Sequence, residues 1–112
     1  MKDYNGYSLS GGIGYGKLVV VRNVNEFSVG LIGQDTILFI QEITLMIAIE
    51  CVKRNVAGVV LEKGGYTSHG CIVLRSGGIP CVIVNNIMKE VHDGEQAIIN
   101  GNIGKLLLSN KN

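Results

Sequence analysis

Between Asp35 and Glu62 the chain reads "DTILFIQEITLMIAIECVKRNVAGVVLE", and this order constrains the fold more than any other stretch. "DTILFI", Asp35 to Ile40, is an unbroken apolar run of the length of a buried strand. "ITLMIAIECVKR", Ile43 to Arg54, has the length and composition of a mostly buried helix, and its basic last turn suits the negative end of the helix dipole. "AGVVLE", Ala57 to Glu62, reads as the next strand. A strand, a helix and a strand in succession predict a parallel portion built around the helix.

The flanks extend this pattern. "GGIGYGKLVVVR" passes from a glycine-rich loop into a β-branched strand over Lys17 to Arg22. After the Ala57 strand come a loop over Gly64 to Ser68, a short helix over His69 to Ser76, a glycine stop at Gly77 and Gly78, and a strand from Cys81 to Val84. "QAIINGNIGKLLL" carries two strand-like runs around Asn100-Gly101, a strong hairpin signal. The expected class is therefore α/β, a mixed sheet with short helices. A chain of 112 residues fits one domain, here 1–112, that buries roughly two-thirds of the surface its unfolded form exposes. It is too short for a catalytic barrel of ~250 residues with anything added. The expectation is a stand-alone module that borrows any large substrate domain from another polypeptide.

Composition removes several function classes. Ten basic and nine acidic residues give a formal charge of +1, and no block of like charge occurs, so no nucleic-acid or anionic-membrane surface is expected. The longest apolar pattern is too short to cross a bilayer. "MKDYNGYSLS" lacks the apolar core of a secretory signal, and a cytoplasmic location is expected. Cys51, Cys71 and Cys81 form neither a disulfide framework nor a CxxC zinc pattern. They read as small buried hydrophobes, and no metal site is expected.

Two catalytic motifs nearly appear and fail. Gly11, Gly16 and Lys17 have the spacing of a phosphate-binding loop, but Leu18 replaces the magnesium-holding hydroxyl, and "KLVVVR" favours a strand where that motif needs a helix. Ser68 fails the G-x-S-x-G pattern of a nucleophile elbow, because Tyr66 replaces the first glycine.

His69 is more promising. It follows Gly64 and Gly65, which permit tight backbone and close ligand approach. It begins a helix whose unpaired N–H groups and dipole favour an anion. Thr67 or Ser68 is a natural N-cap. That field disfavours an imidazolium and so favours a neutral ring with a free lone pair for attack on phosphorus. Once phosphorylated, the same groups would stabilise the new charge by about 0.3–2 kcal/mol. His92, in "VHDGE", falls in a predicted turn and reads as a surface residue.

The run "GGYTSHGCIVLRSGGIPCVIV", Gly64 to Val84, resembles the phosphohistidine segment of the mobile domain of phosphoenolpyruvate-utilising enzymes, the swivelling domain of phosphoenolpyruvate synthase, pyruvate phosphate dikinase and the first enzyme of the sugar phosphotransferase system. Gly64, Gly65, Thr67, Ser68, His69, Ile72, Val73, Arg75, Gly78, Ile79 and Pro80 match its pattern. "LSGGIGYGKLVVV", "DTILFIQEIT" and "INGNIGKLLL" look like the family's opening, middle and closing segments, so the likeness covers nearly the whole chain. The resemblance implies the swivelling β/β/α fold. It also implies that His69 accepts the phosphoryl group through Nε2, while Gly64, Gly65, Thr67, Ser68 and Arg75 position the phosphate. Arg75 stands six residues beyond His69, which turns it away from the ring on an ideal helix, and a structural or docking role competes with phosphate contact. Leu74, Gly70 and Cys71 depart from the small alanines usual there, with expected effects on packing or docking.

The implied function is a phosphohistidine carrier that moves a phosphoryl group between partner active sites. No cofactor is expected on this domain, since ATP or phosphoenolpyruvate, with magnesium, would bind nucleotide- or phosphoenolpyruvate-binding partners. Transferase activity would then belong to the assembly. The alternative is a non-catalytic docking or regulatory module that keeps the swivelling fold.

Overall fold

The computed structural model describes residues 1–109, so the last three positions of the expected 1–112 domain lie outside the described residues. Eight strands form one sheet: β1 (Lys2–Asn5), β2 (Tyr7–Ser10), β3 (Ile13–Val21), β4 (Thr36–Ile40), β5 (Gly58–Leu61), β6 (Cys81–Ile83), β7 (Gln96–Asn100) and β8 (Lys105–Leu108). Two helices join the middle strands, α1 (Leu45–Lys53) after β4 and α2 (His69–Ser76) after β5. Short 3-10 turns occupy Val24–Glu26 and Val29–Leu31.

The spatial order is β1-β8-β7-β3-β4-β5-β6-β2. β3, β4, β5 and β6 run parallel, whereas β7, β8, β1 and β2 pair antiparallel. Only Gly6 separates β1 from β2, yet the two strands occupy opposite edges. One residue cannot cross an open sheet of eight strands, so the sheet must roll until its edges meet. The seam carries its own bonds: the Gly6 N–H donates to the Gly104 carbonyl at 2.7 Å and the Gly101 N–H to that of Gly12 at 2.7 Å. The Ser8 hydroxyl also donates to the Gly101 carbonyl.

Rolling gives the sheet an inside and an outside, and alternation along each strand fills both. Leu18, Ile37, Phe39, Val60, Val82, Ile99 and Leu106 pack inside. Leu38, Ile40, Val59, Leu61, Cys81 and Ile83 face outward, where Ala48 and Cys51 of α1 and Cys71 and Leu74 of α2 cover them. That is why all five residues of β4 are buried.

Several sequence expectations shift at this level. The N-terminal ten residues, read only as lacking a signal, supply both edge strands. Gly14 and Gly16 lie inside β3 rather than in a loop, because a Cβ at either would meet the carbonyl of Ala57 or Asp35. α1 is not mostly buried: it packs through Ala48 and Cys51 and leaves Leu45, Met46 and Ile49 exposed. Among the described residues no helix is long and apolar enough to cross a membrane.

A Cβ at Gly6 would strike the Ile83 carbonyl, whereas one at Gly33 would meet nothing within 4 Å. Gly6→Ala is therefore expected to lower unfolding free energy by about 1–3 kcal/mol in a denaturant titration, the cost of overpacking. Gly33→Ala is expected to stay within about 0.5 kcal/mol. Equal effects would contradict the seam.

Candidate functional site

Both helices begin at the C-terminal ends of parallel strands, where crevices and ligand sites of α/β sheets gather. Thr44 caps α1, its Oγ1 accepting from the Ile47 N–H at 3.1 Å. Ser68 caps α2 in the same way, its Oγ accepting from the Cys71 N–H at 3.3 Å. The two first turns lie side by side, since a Cβ on Gly70 would come within 2.7 Å of the Ile43 side chain and 3.1 Å of its carbonyl. The expected packing effect of Gly70 is thus located: the bulk that alanine would add is supplied by Ile43. Leu74, the other departure, is fully buried against the sheet.

The loop before α2 is tied at both ends. The N–H groups of Glu62 and Lys63 both donate to the Gln41 carbonyl, at 3.1 and 2.8 Å. Gly64 takes φ +147°, a region that side chains rarely enter. A turn then closes with the Ser68 N–H on the Gly65 carbonyl at 3.1 Å. Gly65, Tyr66, Thr67 and His69 are exposed, Ser68 half-buried. His69 is the first residue of α2, so its ring leaves the body of the protein at the helix's positive end. The Cys71 N–H is taken by the cap and the Ile72 N–H bonds the Ser68 carbonyl at 3.0 Å. The backbone N–H groups of His69 and Gly70 complete this first turn, and helix geometry gives them no intrahelical acceptor.

Arg75 faces away from His69. One guanidinium nitrogen donates to the Leu9 carbonyl and another to the Tyr66 carbonyl, each at 2.8 Å, while the guanidinium lies 3.6 Å from the centre of the Tyr66 ring. It joins β2, α2 and the histidine loop. α2 ends as its glycines indicate: Gly78 takes φ +73° and the Ile79 N–H reaches back to the Leu74 carbonyl at 2.9 Å, a Schellman-type stop. Lys63 stands exposed, and the exposed His92 lies in the turn before β7.

Sequence reasoning did not find two features. The grip of Arg75 on Leu9 joins residues 66 positions apart, and no local pattern marks it. Cys71 and Cys81, read as inert packing, share a hydrogen bond beneath the first turn of α2. The Cys81 thiol donates to the Cys71 sulfur. Helped by Ser68 and the charge of Arg75, this bond lowers the Cys71 thiol to about 6 and pushes Cys81 well above the ordinary value. Burial pushes Cys51 up to about 12. Among the described residues no group of three or more His, Cys, Asp or Glu could hold a metal.

These features define a class, a rolled mixed α/β domain that offers one exposed imidazole from the start of a capped helix. The chain belongs to the mobile domain family of phosphoenolpyruvate-utilising enzymes, whose model matches residues 32–104. A probable phosphoenolpyruvate synthase of Methanothermobacter thermautotrophicus is 31% identical over 100 residues, which make up 88% of this chain and 14% of that protein. A phosphoenolpyruvate-protein phosphotransferase of Priestia megaterium is 27% identical over 92 residues, covering 81% of this chain and 16% of that one. The chain therefore spans less than a fifth of the length of these relatives. A solution structure of Enzyme I matches with 25% identity and a TM-score of 0.62, over 74% of this chain and 34% of that one.

Lysine cannot bond two carbonyls and stack on a ring as arginine does. Arg75→Lys is expected to cost about 1.5–3 kcal/mol of stability and to speed amide exchange at Ser68 and His69. Unchanged exchange would show that the loop does not depend on this grip. Thiolate absorbance in the ultraviolet is expected to rise in a step near the value of about 6 of Cys71 as pH increases. Cys71→Ala should remove that step.

Proposed function

We propose that the domain is a phosphohistidine carrier, with His69 as the phosphoryl acceptor. The observation that supports it best is the exposed imidazole at the capped first turn of α2, within the T-S-H run of a mobile-domain family member. The Nε2 lone pair attacks the phosphorus of a donor on a partner, forming the N–P bond. The donor's P–O bond breaks, and its oxygen leaves with the electron pair. Transfer onward reverses these events on an acceptor oxygen. Such a reaction needs positioning and charge stabilisation more than covalent help, so a small platform can serve it.

Each chain residue then has a role. The N–H groups of His69 and Gly70 and the dipole of α2 face the added charge. Gly64 and Gly65 keep the approach free of side chains, and Thr67 supplies an exposed hydroxyl beside it. Ser68 fixes the helix start. Arg75 acts as a positioning residue through Tyr66 rather than by holding phosphate. The exposed Leu45, Met46 and Ile49 of α1 and Ile72 of α2 form an apolar rim suited to exclude water at a docked active site. The donor, ATP or phosphoenolpyruvate with magnesium, binds partner domains of a phosphotransferase, and activity belongs to that cytoplasmic assembly. A docking module without chemistry would use the same rim and leave His69 idle.

The two readings separate on intact mass. The chain is mixed with cell extract and either phosphoenolpyruvate or ATP, then weighed under alkaline conditions. One phosphate is expected on wild type with one of the two donors, and none on His69→Ala, whose stability should change by only about 0.5 kcal/mol. Labelling retained by folded His69→Ala, or absent from folded wild type with both donors, would contradict the carrier.

A further inference from the structure

Three free cysteines from three elements meet in the core beneath α2: Cys51 from α1, Cys71 from α2 and Cys81 from β6. They are not equivalent. Cys71 is the third residue of α2, where the helix field favours a thiolate, and its sulfur receives hydrogen bonds from the Cys81 thiol and Ser68 hydroxyl. Cys81, the first residue of β6, thus already points its sulfur at that of Cys71. Cys51 neighbours Cys81 but has only burial and an adjacent carboxylate, Glu50, acting on it, both of which oppose ionisation.

We propose that Cys71 and Cys81 are a reversible dithiol–disulfide couple, closed by a peroxide and reopened by a thiol reductant, that clamps the first turn of α2 to the sheet. The Cys71 thiolate attacks one peroxide oxygen, the O–O bond breaks, and with one proton a water leaves, giving a sulfenic acid. The Cys81 sulfur then attacks the Cys71 sulfur, the S–O bond breaks, and the hydroxyl leaves as water with the Cys81 proton. Two thiols and one hydrogen peroxide become one disulfide and two waters. The thiolate-bearing, helix-start cysteine is the nucleophile, and the neighbour that donates its hydrogen bond resolves it. Both sulfurs are buried, so peroxide enters through openings of the exposed loop above them, and the reaction is slower than that of a surface thiol.

This inference is independent of the carrier role, and its test does not use phosphate. Trypsin cuts after Lys63, Arg75 and Lys89, which places Cys71 on the peptide Gly64–Arg75 and Cys81 on Ser76–Lys89. The folded chain is treated with hydrogen peroxide, its remaining thiols are alkylated, and it is digested without reductant. The expected product is a monomer lighter by two hydrogens, with those two peptides joined, restored by dithiothreitol and still formed in Cys51→Ala. An unchanged mass after prolonged treatment would overturn the proposal. So would irreversible oxygen addition without the link, a link to the Cys51 peptide, or one between two molecules. The wild-type product decides the matter even if Cys71→Ala or Cys81→Ala fails to fold.

Discussion

The single-residue link at Gly6 governs the architecture. Because β1 and β2 belong to opposite edges, the sheet closes, and closure divides the apolar side chains into an inner set and an outer set. The outer face over β4, β5 and β6 is the one that α1 and α2 cover. Parallel strands force each helix to start at the same end of the sheet, so two capped helix starts arrive together. The site is a consequence of that convergence, and Gly70 is the point where the two turns touch.

What the fold brings together, a few bonds hold in place. Ser68 uses one hydroxyl to cap the helix and to approach the sulfur of Cys71. Arg75 spends its charge on two carbonyls and a tyrosine ring. Charge-assisted bonds of this kind are the stronger ones, so the guanidinium fixes the loop that carries the histidine while remaining remote from it. The acceptor end of the site is thereby left with backbone groups and a dipole, which suit transient charge because they need not reorganise.

The middle of the fold was legible in the sequence because it is locally encoded. The helix over His69–Ser76 agrees with its expected bounds, since its cap, its apolar spacing and its glycine stop all lie within a dozen residues. The strands flanking α1 follow for similar reasons. The seam was not legible: "KDYN" and "YSLS" carry no strong strand pattern and become strands by pairing with β8 and β6, some hundred and some seventy positions away. α1 misled because an apolar helix can be buried or can present a face, and composition does not distinguish the two. At the site, the histidine and its cap could be read from the motif, whereas the Arg75–Leu9 bond and the paired thiols depend on tertiary closure.

The most direct test of the account is to locate the phosphate itself. Wild-type chain labelled by a partner is digested under alkaline conditions, and the peptide Gly64–Arg75 is sequenced in the mass spectrometer. The account predicts an acid-labile phosphate on His69. An acid-stable phosphate on Thr67 or Ser68, or a phosphate on another peptide, would contradict it.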